Sequence, residues 1–119
     1  MSVKELKIIV VEDDPIIRFT MVRMLKNRFS EVDSAENGKE GLKKVTENDY
    51  DIVVTDLQMP IMDGHSMIKN LRENQIDTPV IICSAYDFEE TEKYKCKWMS
   101  KPIIIDNLID MIQDSTANI

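Results

Sequence analysis

Apolar positions along this chain fall into two alternating patterns. KIIVV (residues 7–11), DIVVT (51–55) and PVIICS (79–84) are nearly continuous runs of Ile and Val, the signature of β-strands covered on both faces. VDSA (32–35) and KWMS (97–100) are weaker runs of the same kind. Between the runs the apolar period lengthens to that of a helix. From Pro15, which suits a first helical turn after Asp14, the residues Ile17, Met21, Met24 and Leu25 align into one stripe and predict a buried face. Residues 37–49 carry Leu42 and Val45 on an otherwise polar helix, and residues 64–73 carry Met67, Ile68 and Leu71. From about Ile104 a last helix aligns Ile105, Leu108, Ile109 and Ile112. Strand and helix thus alternate, and right-handed crossovers make the expected fold α/β: a five-stranded parallel sheet, doubly wound, with helices on both faces. The length, 119 residues, suits one hydrophobic core and is too short for two, so a single domain over residues 1–119 is expected.

A parallel sheet brings the carboxyl ends of its strands to one edge, where open α/β sheets place their chemistry. In DIVVTDLQMPIMDG (51–64) the apolar run stops at a bare carboxylate, Asp56, and turn signals follow at Met59-Pro60 and Asp63-Gly64. The other strand ends carry Glu12, Asp13, Ser84 and Lys101. Three carboxylates brought together repel: at about 5 Å and an effective dielectric near 20, each pair costs about 3 kcal/mol. A hard divalent cation with oxygen ligands offsets that cost, and Mg²⁺ takes one or two carboxylates, several waters and a phosphate oxygen. Lys101 adds a positive charge, and a cis bond to Pro102, the state of about 5 to 6% of such bonds, would aim its ammonium inward. Asp56 is then either one more metal ligand or a carboxylate nucleophile, screened so that a phosphoryl group can approach it. Ser84 is placed to donate a hydrogen bond to such a group once attached.

Charge and composition exclude other classes. The net charge is −7, from 22 acidic and 15 basic residues, and the basic ones are scattered, which argues against direct nucleic-acid binding. No apolar run approaches the roughly 20 residues that span a bilayer, and MSVKELKIIVVEDD has charges where a signal peptide needs an apolar stretch. No membrane insertion and a cytoplasmic location are therefore expected. Cys83 and Cys96 have no metal-ligand spacing and are too few for a disulfide framework, so both are expected as thiols, with Cys83 in the core. His65, the sole histidine, is expected to be solvated on the polar side of a helix start.

VVED followed by Asp14-Pro15, then VVTDLQMPIMDG, ICSA and SKP, stand in this order at the ends of successive strands. Together they resemble the receiver domains of two-component response regulators, from about residue 7 to residue 112. The resemblance implies a flavodoxin-like fold in which Asp56 accepts a phosphoryl group from a phosphohistidine on a histidine kinase or histidine phosphotransfer protein. It implies Mg²⁺ held directly by Asp13 and Asp56, by Glu12 mainly through a water, and by the backbone carbonyl of Gln58. Lys101 and Ser84 would each bind a phosphoryl oxygen. Ser84 and Trp98, three positions before Lys101, would move together as a switch that controls a downstream protein target, with Trp98 turning inward. Such a domain catalyses only its own phosphorylation and dephosphorylation. Gln58 and Tyr86 would flank the path of the attacking water, and a ring at 86 implies slow self-dephosphorylation. Ile16 and Phe19, outside the main stripe of the first helix, would help to dock the phosphodonor.

The chain also departs from that family. Glu12 stands where many members carry Asp. Only residues 85–100, 16 in all, separate Ser84 from Lys101, and the usual Gly-Ala turn before the last strand is missing. A fourth helix of about two turns, shortened or mobile within residues 87–94, is expected. Two other functions compete: a degenerate interaction module that works without phosphorylation, and a Mg²⁺-dependent phosphatase. The intact set of five residues argues against the first, and Gln58 in place of a second acid argues against the other. The initial Met and the short tail favour a stand-alone regulator.

Overall fold

The Ile and Val runs become strands because a pleated chain packs β-branched side chains on both faces at little entropic cost. In the computed structural model, which describes residues 4–117, the strands are β1 Lys4–Val11, β2 Phe29–Ala35, β3 Ile52–Thr55, β4 Val80–Ser84 and β5 Cys96–Ser100. The helices are α1 Pro15–Leu25, α2 Gly38–Glu47, α3 Gly64–Glu73, α4 Thr91–Tyr94 and α5 Ile105–Ser115. Every pairing is parallel and the strand order is β2-β1-β3-β4-β5. β2 and β5 start earlier than the apolar pattern alone suggests, because Phe29 is buried and Cys96 pairs with Val80.

Strand alternation divides the core in two. Ile8, Val10, Val54 and Ile81 face a cluster completed by Leu25 of α1 and Leu108 and Ile112 of α5. Ile9, Val11, Val53 and Ile82 face the other way, onto Val45 of α2 and Met67, Ile68 and Leu71 of α3. Helices therefore cover both faces, as expected. Side chains fix three helix starts: Asp14 accepts from the Ile16 and Ile17 amides, Asn37 from Glu40 and Asp63 from Ser66. Each such cap contributes about 1 kcal/mol.

α1 departs from the predicted stripe. Leu25 is buried and Met21 packs on the core, but Ile17 and Met24 are each 41% exposed and Val22 packs inward instead. The cause is local: the adjacent apolar pairs Ile16-Ile17, Met21-Val22 and Met24-Leu25 widen the apolar arc beyond what the sheet can cover. The uncovered part lines an open apolar groove of about 350 Å³ between Ile17, Met21 and Met24 on one side and Pro102 and Ile105 on the other.

α4 is a single turn, shorter than the two turns expected, and Lys95 ends it in the left-handed region at φ 54°. A helix this short is held from outside. Arg72 of α3 donates Nε to the Tyr94 carbonyl at 2.7 Å, Nη2 to the Lys95 carbonyl at 3.2 Å and Nη1 to the Ile76 carbonyl at 2.7 Å. His65 also corrects the sequence reading. Rather than standing free in solvent, its ring meets Phe88 and Tyr94 edge-on, and Nε2 lies 3.3 Å from Glu90 Oε1. An imidazole body is apolar enough to pack while its edge stays polar.

Candidate functional site

Leaving β1, the chain turns to β2 on one side; returning, it enters β3 on the other. The loops after β1 and β3 therefore diverge and open a crevice at the carboxyl edge. Glu12 and Asp13 follow β1, and Asp56 follows β3. Backbone bonds carry the ladder into the site: the Asp56 amide donates to the Val11 carbonyl at 3.1 Å and the Glu12 amide to that of Ala35 at 3.0 Å. One carboxylate oxygen from each of Glu12, Asp13 and Asp56 falls within 4.8 Å of the others. Glu12 is buried, Asp56 is half-buried and Asp13 is exposed.

Lys101 enters from the end of β5. Its Nζ lies 3.1 Å from Asp56 Oδ2 and 3.5 Å from Glu12 Oε1, its amide donates to the Ser84 carbonyl at 3.0 Å, and the Lys101-Pro102 bond is cis. The remaining carboxylate oxygens are fixed locally: Asp56 Oδ1 accepts from the Leu57 amide at 2.7 Å, and Glu12 Oε2 from the Asp14 amide at 3.2 Å.

The charges do not balance. Three carboxylates against one ammonium leave a formal −2 when all are ionised. Burial raises the Glu12 pKa above its ordinary value, the Asp14 amide pulls it back, and Asp13 and Asp56 push it up while Lys101 lowers it. Burial alone would lower the Lys101 pKa, but the hydrogen bond and charge of Asp56, with Glu12 behind them, outweigh it and raise the net value. A compact all-oxygen donor set with two negative charges in excess fits a hard divalent cation.

α3 is docked against the acid through Gly64. Its amide donates to the Leu57 carbonyl at 2.8 Å, and a Cβ there would collide with the Asp56 carbonyl oxygen. In the same loop Ile61, exposed, holds φ at 71°, a left-handed conformation that β-branched residues rarely adopt.

Ser84 is buried at the end of β4, and its Oγ accepts the Tyr86 amide at 3.1 Å; the Tyr86 ring itself is exposed. Gln58 is exposed in the β3–α3 loop. Trp98 is half-buried against the α3-side core, with its Nε1 shielded and without a partner among the described residues. The structure thus brings Glu12, Asp13, Asp56 and Lys101 into one cluster, with Ser84 tied to it through the Lys101 amide, and leaves Gln58 and Trp98 outside those contacts. Sequence reasoning missed Arg18, Arg72 and the packing role of Gly64. Only Gly64 had a signal, as half of the Asp63-Gly64 turn.

Both cysteines are free. Burial is the main cause that pushes the Cys83 thiol up to about 12; Lys101 opposes it, and Asp56 and Glu12 reinforce it. The unfolded chain then gives up this proton first, so stability falls as pH rises from about 9, by up to about 1.4 kcal/mol per pH unit for one proton. Replacing Cys83 with Ala should flatten that slope in urea unfolding measured from about pH 8 to about pH 11. An unchanged slope would refute the assignment.

A family model described as the response regulator receiver domain matches residues 8–113. Chemotaxis protein CheY of Halobacterium salinarum is 29% identical over 113 residues, covering 91% of this chain and 94% of that one. Other curated relatives are much longer, and the chain spans between 9% and 39% of their length. Among solved structures, a Francisella response regulator receiver domain is 34% identical with a TM-score of 0.87, over 95% of this chain and 98% of its own. The response regulator TrrA of Thermotoga maritima, solved in complex with Mg²⁺-BeF, is 29% identical with a TM-score of 0.82, over 92% of this chain and 98% of that one. No helix among the described residues is long and apolar enough to cross a membrane.

Proposed function

We propose, on the premise that this chain belongs to the response regulator receiver domains of two-component systems, that Asp56 is its phosphoacceptor. The donor is a phosphohistidine on a histidine kinase or histidine phosphotransfer protein. The observation that carries this reading is Lys101 Nζ at 3.1 Å from Asp56 Oδ2, beside two further carboxylates.

With Oδ1 held by the Leu57 amide, Oδ2 is the oxygen turned toward Lys101. A carboxylate oxygen of Asp56 attacks the phosphorus in line, an O–P bond forms, the N–P bond to the donor breaks, and the imidazole leaves with the electron pair. Lys101 exchanges its contact with Asp56 for one with a phosphoryl oxygen, so positive charge is in place where negative charge arrives. Glu12, Asp13 and Asp56, with the Gln58 carbonyl, are the groups that would hold Mg²⁺; when bound, it neutralises phosphoryl oxygens. The Mg²⁺-BeF complex of the similar TrrA supports a Mg²⁺-dependent reading here.

The Ser84 hydroxyl, which accepts from Tyr86, retains a proton to donate to the attached group. Charge-assisted bonds of this kind contribute roughly 1.5 to 3 kcal/mol each. Two of them shift a conformational equilibrium without inverting it, since moving from 1:99 to 99:1 takes about 5.5 kcal/mol. Trp98 is the second switch residue: its Nε1 is shielded and has no partner among the described residues, so a change in packing can give it one. The output is control of a protein target. The groove beside Lys101, with Ile16 and Phe19 exposed on α1, presents an apolar surface to a protein donor.

Acetyl phosphate with Mg²⁺ should add the mass of one phosphoryl group and change the emission of the single tryptophan, Trp98. An unchanged spectrum at full modification would remove the switch role from Trp98. No gain in mass would remove the acceptor as well.

A further inference from the structure

Asp13 is exposed, yet one of its oxygens reaches the carboxylate cluster. With little packing around it, the backbone beneath it contributes to its direction. That backbone is pinned peptide by peptide. The Glu12 amide donates to the Ala35 carbonyl at 3.0 Å, and the Asp14 amide donates to Glu12 Oε2 at 3.2 Å. The carbonyls between them are held by one side chain: Arg18, reaching back from α1 past the cap residue, donates Nη1 to the Glu12 carbonyl at 2.8 Å and to the Asp13 carbonyl at 3.4 Å. The Arg18 side chain is only 17% exposed, and its other contact, Glu36 Oε1 at 3.8 Å, is a solvated ion pair of little energetic weight.

We propose that Arg18 is a positioning residue for the cation site: by fixing the peptides on either side of Asp13, it sets the direction in which that carboxylate meets Asp56. The inference rests on the Mg²⁺-dependent reading above. It also makes a prediction of sign. A positive charge near a cation site repels the cation, so an Arg18 that acted through charge alone would weaken Mg²⁺ binding, and its removal would tighten it. An Arg18 that acts through position does the reverse.

Calorimetric Mg²⁺ titration of the full chain separates the two. Arg18→Met should bind Mg²⁺ about tenfold more weakly than wild type, the lower end of what the loss of a ligand-orienting partner costs. Arg18→Lys keeps the charge but not the planar fork, and should weaken binding by about threefold or more. Glu36→Gln should stay within about twofold of wild type, since the pair it breaks is solvated. Unchanged or tighter binding by Arg18→Met overturns the inference. If circular dichroism shows that variant unfolded, Arg18→Lys decides by the same criterion.

Phosphorylation by acetyl phosphate supplies the second readout. The Mg²⁺ requirement should rise in Arg18→Met while the rate at saturating Mg²⁺ is retained. An equal fall at saturation would mark general loosening and overturn the positioning role. A wild-type chain that takes up neither Mg²⁺ nor a phosphoryl group would instead refute the proposed function itself.

Discussion

Replacing Lys101 with Met should slow phosphoryl transfer to Asp56 by about a hundredfold or more, the usual loss when one group that stabilises developing negative charge is removed. Met keeps much of the apolar stem and discards the ammonium, so the effect isolates charge. Without Lys101 the formal charge of the cluster passes from −2 to −3, and Asp56 and the buried Glu12 lose a shared cation. The same change alters the pH dependence of stability. The Glu12 pKa is already raised by burial, and Lys101 is one of the groups that lower it, so its loss raises it further. A carboxyl whose folded pKa lies above its unfolded value destabilises the fold at neutral pH, and stability returns as pH falls through the folded value toward the ordinary carboxylate range. Initial rates of mass gain at saturating Mg²⁺, with urea midpoints against pH, check both parts. A Lys101→Met rate within about threefold of wild type would contradict the electrostatic role given to this residue.

The second large effect is expected at Gly64, where local propensity and tertiary contact disagree in sign. Gly64 opens α3, and helix propensity alone favours Ala there by about 1 kcal/mol. The added Cβ, however, would meet the backbone carbonyl of Asp56, which cannot swing aside as a flexible side chain can. Overpacking of this kind costs about 1 to 3 kcal/mol, and here the atom displaced belongs to the proposed acceptor, Asp56. Gly64→Ala should therefore unfold at lower urea, with a net loss of about 1 kcal/mol once the propensity gain is subtracted, and bind Mg²⁺ more weakly. A variant more stable than wild type would show that propensity wins and that the α3–Asp56 contact is loose.

What could be read in the sequence, and what could not, follows from the range of the physics involved. β3 and β4 were legible because an unbroken Ile and Val run has one good solution, a strand covered on both faces. Once parallel strands were granted, Glu12, Asp13, Asp56, Ser84 and Lys101 had to share an edge, so the site followed from topology before any distance was known. Family membership and the five-stranded parallel sheet agree with that reading. The stripe of α1 was misjudged because paired apolar residues let the helix be rotated without losing apolar contact; whether Met24 or Val22 faces inward is decided by the sheet beneath. The shortness of α4 followed from counting residues. Its anchoring did not, since Arg72 finds carbonyls 22 and 23 residues away and His65 meets Glu90 across another loop. Arg18 was invisible for a related reason: its partners lie five and six residues back, beyond the helix cap, where no helical periodicity operates.

The central claim is that one carboxylate, Asp56, takes the phosphoryl group because Lys101 and a cation make its pocket receptive. Its most direct measurement is the intact mass of wild type and of Asp56→Asn after incubation with acetyl phosphate and Mg²⁺. Wild type should gain one phosphoryl group and the variant none; an equal gain by both chains would put the acceptor elsewhere and contradict the claim.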